Sequence, residues 1–321
     1  MKRTYLLVSL PFLALFALGL VYTTCIECVS LAAAPTALPG VAPTPAFNGH
    51  WRQGKAEISR FELEQERYGE IRQGEAMLVY VVEPFLPETQ VKYEGHPAPD
   101  RHESVLKLNL TRKFHTGIYP YSMMTSVFSP LSDPGGHPYK ITQSSQEWCG
   151  HTFTQVNNRG DHFDVRSFSY FQDEGDERFR MDSTITEDEL WMRVRLDPAS
   201  LHTGTVSIIP RLDHQRMRHT GFRAETATAR VRRISDAGSS DAAVLEYELR
   251  YAELPRVLRL RFEEDFPHRI VGWEEELRKG DGDDAIVLTT RARLTNEMMS
   301  DYWNRNSHAD STLRKELGMK Y

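Results

Sequence analysis

Apolar and polar residues alternate with a period of two along most of the chain from Trp51 onward, the pattern of strands that turn one face to a core. Residues 56–63 and 104–111 follow it, and residues 139–146 and 151–156 read as strands on either side of a short junction. Residues 76–82 form a continuous apolar run instead, suited to a strand buried on both faces. A further strand is expected over residues 118–128, closed by the Asp133-Pro134-Gly135-Gly136 turn. Residues 162–171 and 178–184 read as a hairpin around an acidic turn. In the second half, strands are expected at 205–209, 224–234, 243–251, 257–262, 270–277 and 286–294. Residues 244–251 and 257–262 alternate most cleanly, and their polar side carries mixed charge, as a solvated sheet face does.

Helix signals are few. Thr186 is placed as an N-cap with Glu189 three residues on, which predicts a short helix ending before Pro198. Asp310 or Ser311 can cap a second, near the C-terminus. Short connections between so many strands imply antiparallel meanders. The expected fold is all-β, or β-dominated: a large curved sheet, half-barrel or sandwich with one or two short helices. No Pro- or Ser-rich linker divides residues 51–321, so they are expected to form a single body.

The first 50 residues differ in kind. Lys2 and Arg3 precede an apolar run over residues 6–22. A basic start followed by such a run is an export signal, and its length also suits a short retained anchor. Cys25 sits where a bacterial lipoprotein carries its acylated cysteine, although Thr24 stands where a smaller residue is preferred. Small residues near Ala32 and Ala34 offer a cleavage site. Cleaved secretion, lipidation at Cys25 and retained anchoring all stay open. Residues 1–34 are thus expected to be a signal peptide or anchor. Residues 35–50, with Pro35, Pro39, Pro43 and Pro45, are expected to be an extended tether.

Composition narrows the function classes. Hydrophobic content of 40% and charged content of 26% suit a folded soluble body. A net charge of -6 gives no bulk attraction to nucleic acid. The basic cluster at residues 230–233, with Val231 inside it and more arginines at 211–218 nearby, reads as a solvated strand face. The chain lacks a Gly-rich phosphate loop, a Gly-x-Ser-x-Gly elbow and a His-Glu-x-x-His motif. Residues 280–284 lack the ligand spacing of a calcium loop. Asp213, His214 and His219 do not share one face at strand or helix spacing, and Glu274, Glu275 and Glu276 read as a charged strand end. No metal or cofactor is expected.

The densest chemistry lies in Ser144-Ser145-Gln146-Glu147-Trp148-Cys149-Gly150-His151. A thiol beside an imidazole can act as a nucleophile, which makes Cys149, His151 and Glu147 the candidate catalytic set. The competing reading is structural: a strand–Gly–strand junction, with Gly150 forming a bend or bulge and with Trp148 and Cys149 buried. Tyr119, Tyr121 and Trp148 are candidates to line an apolar ligand cavity in a curved sheet.

The stretches Gly117-Ile118-Tyr119-Pro120-Tyr121-Ser122-Met123-Met124, Ser144–His151 and Asp301-Tyr302-Trp303 resemble an uncharacterised family of exported bacterial proteins, many from Bacteroidetes, often labelled "septum formation inhibitor Maf". The resemblance runs over most of the body. True Maf proteins are cytoplasmic nucleotide pyrophosphatases with a Ser/Arg-rich motif near the start, where this chain has its apolar run and Pro-rich stretch. The resemblance therefore implies an envelope location and supplies no catalytic residue. The resulting expectation is a non-enzymatic protein of the periplasm or outer membrane surface, meeting the membrane through its N-terminus. Its curved sheet would bind an apolar or extended ligand or an envelope protein. A thiol enzyme using Cys149 and His151, and a structural module without a ligand site, are the alternatives.

Overall fold

Leu258, Leu260 and Phe262 are buried, while Arg259 and Arg261 between them reach solvent. This alternation recurs from strand to strand and builds one sheet. The computed structural model describes residues 44–95, 102–234, 243–280 and 285–319. The apolar run, Cys25, most of the tether and the 281–284 turn lie outside the described residues.

The chain opens with α1 (Pro45–Trp51), β1 (Ala56–Arg67), β2 (Glu70–Leu86), β3 (Val91–Lys92), β4 (Glu103–Thr116) and β5 (Tyr119–Pro130). It continues through β6 (Lys140–Glu147), β7 (Gly150–Asn158), β8 (His162–Ser169), β9 (Glu177–Asp182) and β10 (Ile185–Thr186). Next come α2 (Leu190–Leu196), β11 (Gly204–Ile209), α3 (Leu212–Arg218), β12 (Glu225–Ile234) and β13 (Val244–Tyr251). The last elements are β14 (Arg256–Glu263), β15 (Ile270–Lys279), β16 (Ile286–Ser300) and α4 (Thr312–Glu316).

Among the described residues the strands form a single 16-stranded sheet in the order β10-β11-β12-β13-β14-β15-β16-β1-β2-β4-β5-β6-β7-β8-β9, with β3 beside β2. Every pairing is antiparallel except β10 with β11. β16 pairs with β1, which joins the two halves of the chain in mid-sheet. The edge strands β9 and β10 are consecutive in sequence. Between them Ser183 N–H donates to the Asp161 carbonyl (3.2 Å) and the Thr184 hydroxyl to the Ser207 carbonyl of β11 (3.2 Å). The chain itself thus bridges two edges that would otherwise expose unpaired groups.

Register on the outer face is fixed by charge. Arg230, Glu248, Arg259, Glu274, Arg291 and Glu64 lie opposite one another across consecutive strands from β12 to β1. Their contacts include Arg230–Glu248 at 2.7 Å, Arg259–Glu248 at 2.9 Å and Arg291–Glu274 at 3.2 Å. Glu248 is buried beneath its arginines, and each solvent-facing pair of the row contributes only about 0.2–1 kcal/mol. A slip by one residue would nevertheless drive the whole row into the core.

The inner face wraps the segment between β10 and β12. α2 is buried along almost its whole length, with Trp191 edge-on to Trp273 of β15 (6.2 Å). The Tyr80 hydroxyl of β2 donates to the Trp191 carbonyl (3.2 Å). Thr186 accepts from the Glu189 N–H as the predicted cap (3.3 Å), but the turn it opens is buried rather than peripheral. Glu187, Asp188 and Glu189 are all buried. Arg256 grips Glu187 with two hydrogen bonds (2.7 and 2.6 Å) and reaches Glu275 at 3.1 Å. Arg112 of β4 bonds Glu275 of β15 and lies 3.3 Å from Asp213, which Arg211 also binds. A second cluster joins α2 to β1 and α1. Arg195 binds Glu57 at 2.5 and 2.6 Å, and His50 meets the same carboxylate at 2.8 Å.

Two expectations are corrected here. The last residues of the supposed tether are not extended: Pro45–Trp51 is helical, capped by Thr44 and anchored by the buried Trp51. Among the described residues there are four short α-helices rather than one or two. α1 and α3 carried no apolar stripe to announce them.

The central cluster sets Arg112, Arg211 and Arg256 against Glu187, Asp188, Asp213 and Glu275, leaving carboxylates in excess. Burial pushes the Asp188 carboxyl up to about 7, Asp213 and Glu187 adding to the effect while Arg211 and the Leu212 N–H oppose it. Burial also raises Glu57, but Arg195 and His50 override it and hold that carboxyl at about 2. For Asp188, a folded-state value above its ordinary 3.8 means that stability is fully present below pH 4 and lost as pH rises through 7. Asp188→Asn should therefore stabilise the protein at pH 8 by up to roughly 4 kcal/mol and change little at pH 4. Urea unfolding at the two pH values checks this, and an equal midpoint shift at both would contradict it.

Candidate functional site

α3 has seven residues, and six of them are buried although only Leu212 and Met217 of these are apolar. Its start is fastened by the Leu212 N–H on Asp188 (3.0 Å), and its end by Arg67 on the Met217 carbonyl (2.5 Å). At His219 the backbone turns left-handed (φ 55°) and leads the chain away. Between α3, the following residues 220–222 and the inner faces of β7, β8 and β9 lies a cleft of about 140 Å³. A cavity of about 150 Å³ holds a six-carbon ring.

Hydroxyls dominate the lining: Thr152 and Thr154 from β7, Ser167 and Ser169 from β8, and Thr220. Asp173, Glu174 and Glu177 add carboxylates, and Phe179 and Phe222 add rings 5.9 Å apart. Glu174 is engaged on both oxygens, by the His219 ring and by the Ser169 hydroxyl (3.0 Å). Arg216 of α3 is 7% exposed; its Nη2 donates to Glu147 (3.1 Å) and its guanidinium lies over the Phe171 ring (4.4 Å). Its Nε and Nη1, and the buried Thr152 hydroxyl, have no hydrogen-bond partner among the described residues. Buried donors without partners are uncommon, because each costs about 1–3 kcal/mol. Three such donors lie just behind the two sides of the cleft, two on Arg216 of α3 and one on Thr152 of β7.

Gly150 explains how Arg216 is positioned. It begins β7 in regular register, Glu147 opposite Gly150, with no bulge. A Cβ at this position would lie 2.6 Å from the Phe171 ring. The absent side chain thus lets Phe171 pack under Arg216, and the expected bend at Gly150 is instead a space for a ring.

The structure separates the predicted site residues. The Glu147 side chain is buried, accepting from Arg216 and from the Cys149 N–H (2.6 Å). Trp148 and Cys149 form the two-residue loop of the β6–β7 hairpin and are exposed, Trp148 at 71%. Their expected burial is corrected: at a hairpin apex no further strand covers them. His151 is exposed opposite Gln146, and among the described residues no hydrogen bond joins its ring to the Cys149 thiol. Tyr121 is buried against Phe114 (4.8 Å, 7° between planes), its hydroxyl accepting from Arg67 at 3.1 Å. Tyr119 is half-buried and stacks on Trp148 at 6.2 Å. None of Tyr119, Tyr121 and Trp148 lines the cleft. Cys25 lies outside the described residues. Asp213 belongs to the central ion cluster, His214 is buried, and His219 sits on Glu174, so these three are dispersed. Among the described residues no group of three or more His, Cys, Asp or Glu is placed to hold a metal ion.

Arg216 and Thr152 escaped the sequence reading. Arg216 was only one of several arginines noted at 211–218, and a buried polar helix leaves no periodic signal. No family model, no curated protein and no solved structure matches this chain. Gly150→Ala should destabilise the fold by about 1–3 kcal/mol, the cost of overpacking, by displacing Phe171 from beneath Arg216. Thermal unfolding checks it, and an unchanged midpoint would remove Gly150 from the account.

Proposed function

We propose that this protein is a non-enzymatic binding protein of the bacterial cell envelope whose cleft holds a small, uncharged, hydroxyl-rich ligand of single-sugar size. The observation that carries this reading is a cleft walled by hydroxyls and carboxylates, with the unpartnered donors of Arg216 and Thr152 buried directly behind its two sides. Alternating donors and acceptors suit hydroxyl groups, which do both. Phe179 and Phe222 offer rings for the apolar face of such a ligand. An anion is disfavoured by Asp173, Glu174 and Glu177, since the charge of Arg216 is already matched by Glu147.

The expected apolar ligand draws less support, because Trp51, Trp191 and Trp273 fill the inner face and the cleft beside it is polar. Among the described residues no imidazole is hydrogen-bonded to Cys149, so the hairpin lends the thiol-enzyme reading no support. The envelope location rests on the basic start and apolar run of residues 1–22.

Titration of the protein with glucose, galactose and mannose, followed by amide NMR shifts, tests the reading. Shifts are expected at residues 152–154, 167–169 and 215–222. Arg216→Met should weaken binding about tenfold, the loss of one charge-assisted hydrogen bond. Absence of shifts with all three sugars would overturn the proposal.

A further inference from the structure

The turn between β8 and β9, residues 170–176, contributes Asp173 and Glu174 to the cleft and is tied within itself. The Ser169 hydroxyl accepts from the Phe171 N–H (3.2 Å) and donates to Glu174 (3.0 Å). The Glu174 N–H donates to the Phe171 carbonyl (3.1 Å). Toward α3 the turn reaches through side chains. Glu174 bonds the His219 ring, and the Phe171 ring stands edge-on to that same ring (5.0 Å, 73°). Phe171 also lies against the Arg216 guanidinium (4.4 Å). Glu174 lines the cleft from the turn, and Arg216 and His219 line it from the α3 side, so these contacts join its two sides.

We propose that this turn is a strap that opens and closes the cleft, fastened by Glu174 on His219. The fastening is weak, because the two side chains are 26% and 44% exposed and ion pairs that face water hold little. What the closed strap covers is unfavourable. Its Phe171 ring shields Arg216, whose Nε and Nη1 are buried without partners. Thr152, whose buried hydroxyl also lacks a partner, sits opposite Ser169 at the root of the strap. Buried donors left unmade favour any arrangement that brings an acceptor to them, and lifting the turn does so while its internal bonds stay intact. Segments that gate a binding site are drawn from such weakly held parts of a fold. That a sugar passes the strap rests on the reading of the cleft given above; the opening itself does not.

The test needs no sugar. Thr152→Cys is introduced into the full-length chain, which is treated with iodoacetamide, and labelling is followed peptide by peptide by mass spectrometry. The exposed Cys149 is the reference for reagent activity. Labelling at position 152 is expected to be slower than at Cys149 by roughly a hundredfold, since it waits for the strap to open. Glu174→Ala should speed it about tenfold, the loss of one charged hydrogen bond. His219→Gly, which removes the ring and keeps the left-handed turn, should do the same. The two together should give no more than either alone, because both act through one contact. The control is Ser129→Cys, buried in β5 and outside the cleft, whose labelling should not respond to Glu174→Ala. Rates at position 152 that ignore both substitutions, that add when the two are combined, or that rise equally in the Ser129→Cys control would overturn the proposal. A gated thiol in a chain that binds none of the three sugars would support the strap and remove only the ligand reading.

Discussion

The fold depends on a buried ionic cross-link between the sheet and the chain it encloses. Arg256 of β14, Arg112 of β4 and Glu275 of β15 come from the sheet; Glu187, Asp188, Arg211 and Asp213 come from the enclosed segment. Hydrophobic contact alone would let α2 and α3 settle in several arrangements, since apolar burial has no direction. Bidentate arginine–carboxylate pairs do have direction, and two tie this segment to the sheet, Arg256–Glu187 and Arg195–Glu57. Removing one partner of such a buried pair costs about 3–5 kcal/mol, because a charge is left stranded. The strain of the excess carboxylate falls on Asp188, whose carboxyl burial pushes up to about 7.

The cleft inherits its shape from that cross-link. Asp188 receives the first N–H of α3, and Arg211 and Asp213 fix the turn leading into it. Arg216 lies one helical turn from these anchors and faces β7 across Phe171. Glu147 closes the arrangement from the β6 side, so the residue first noticed beside Cys149 serves Arg216 instead.

Much of the sheet was legible in the sequence, and the reason is local. Residues 244–251 and 257–262 alternate because one face meets the core and the other carries the Arg–Glu rows, so their strands match prediction closely. Thr186 was legible as a cap because capping is a short-range hydrogen bond. β2 and β16 run longer than expected, from Glu70 and to Ser300, because their outer stretches are paired without being uniformly apolar. The pairing of β16 with β1 left no local trace, since a contact between chain ends is set by closure of the whole sheet. α3 was hidden because its buried side chains are charged, and their partners are supplied by distant strands. Trp148 and Cys149 were misplaced because residue type suggests burial, whereas a two-residue hairpin loop exposes whatever it holds.

The most direct test of the buried cross-link is amide hydrogen exchange in Arg256→Met, which keeps the volume and strands Glu187 without its guanidinium. Exchange across residues 204–218 should accelerate about a hundredfold or more, following the 3–5 kcal/mol cost, while β1, β2 and β4 stay protected. Unchanged protection of residues 204–218, or a uniform loss across the whole sheet, would contradict the claim that this ion cluster specifically holds the enclosed segment.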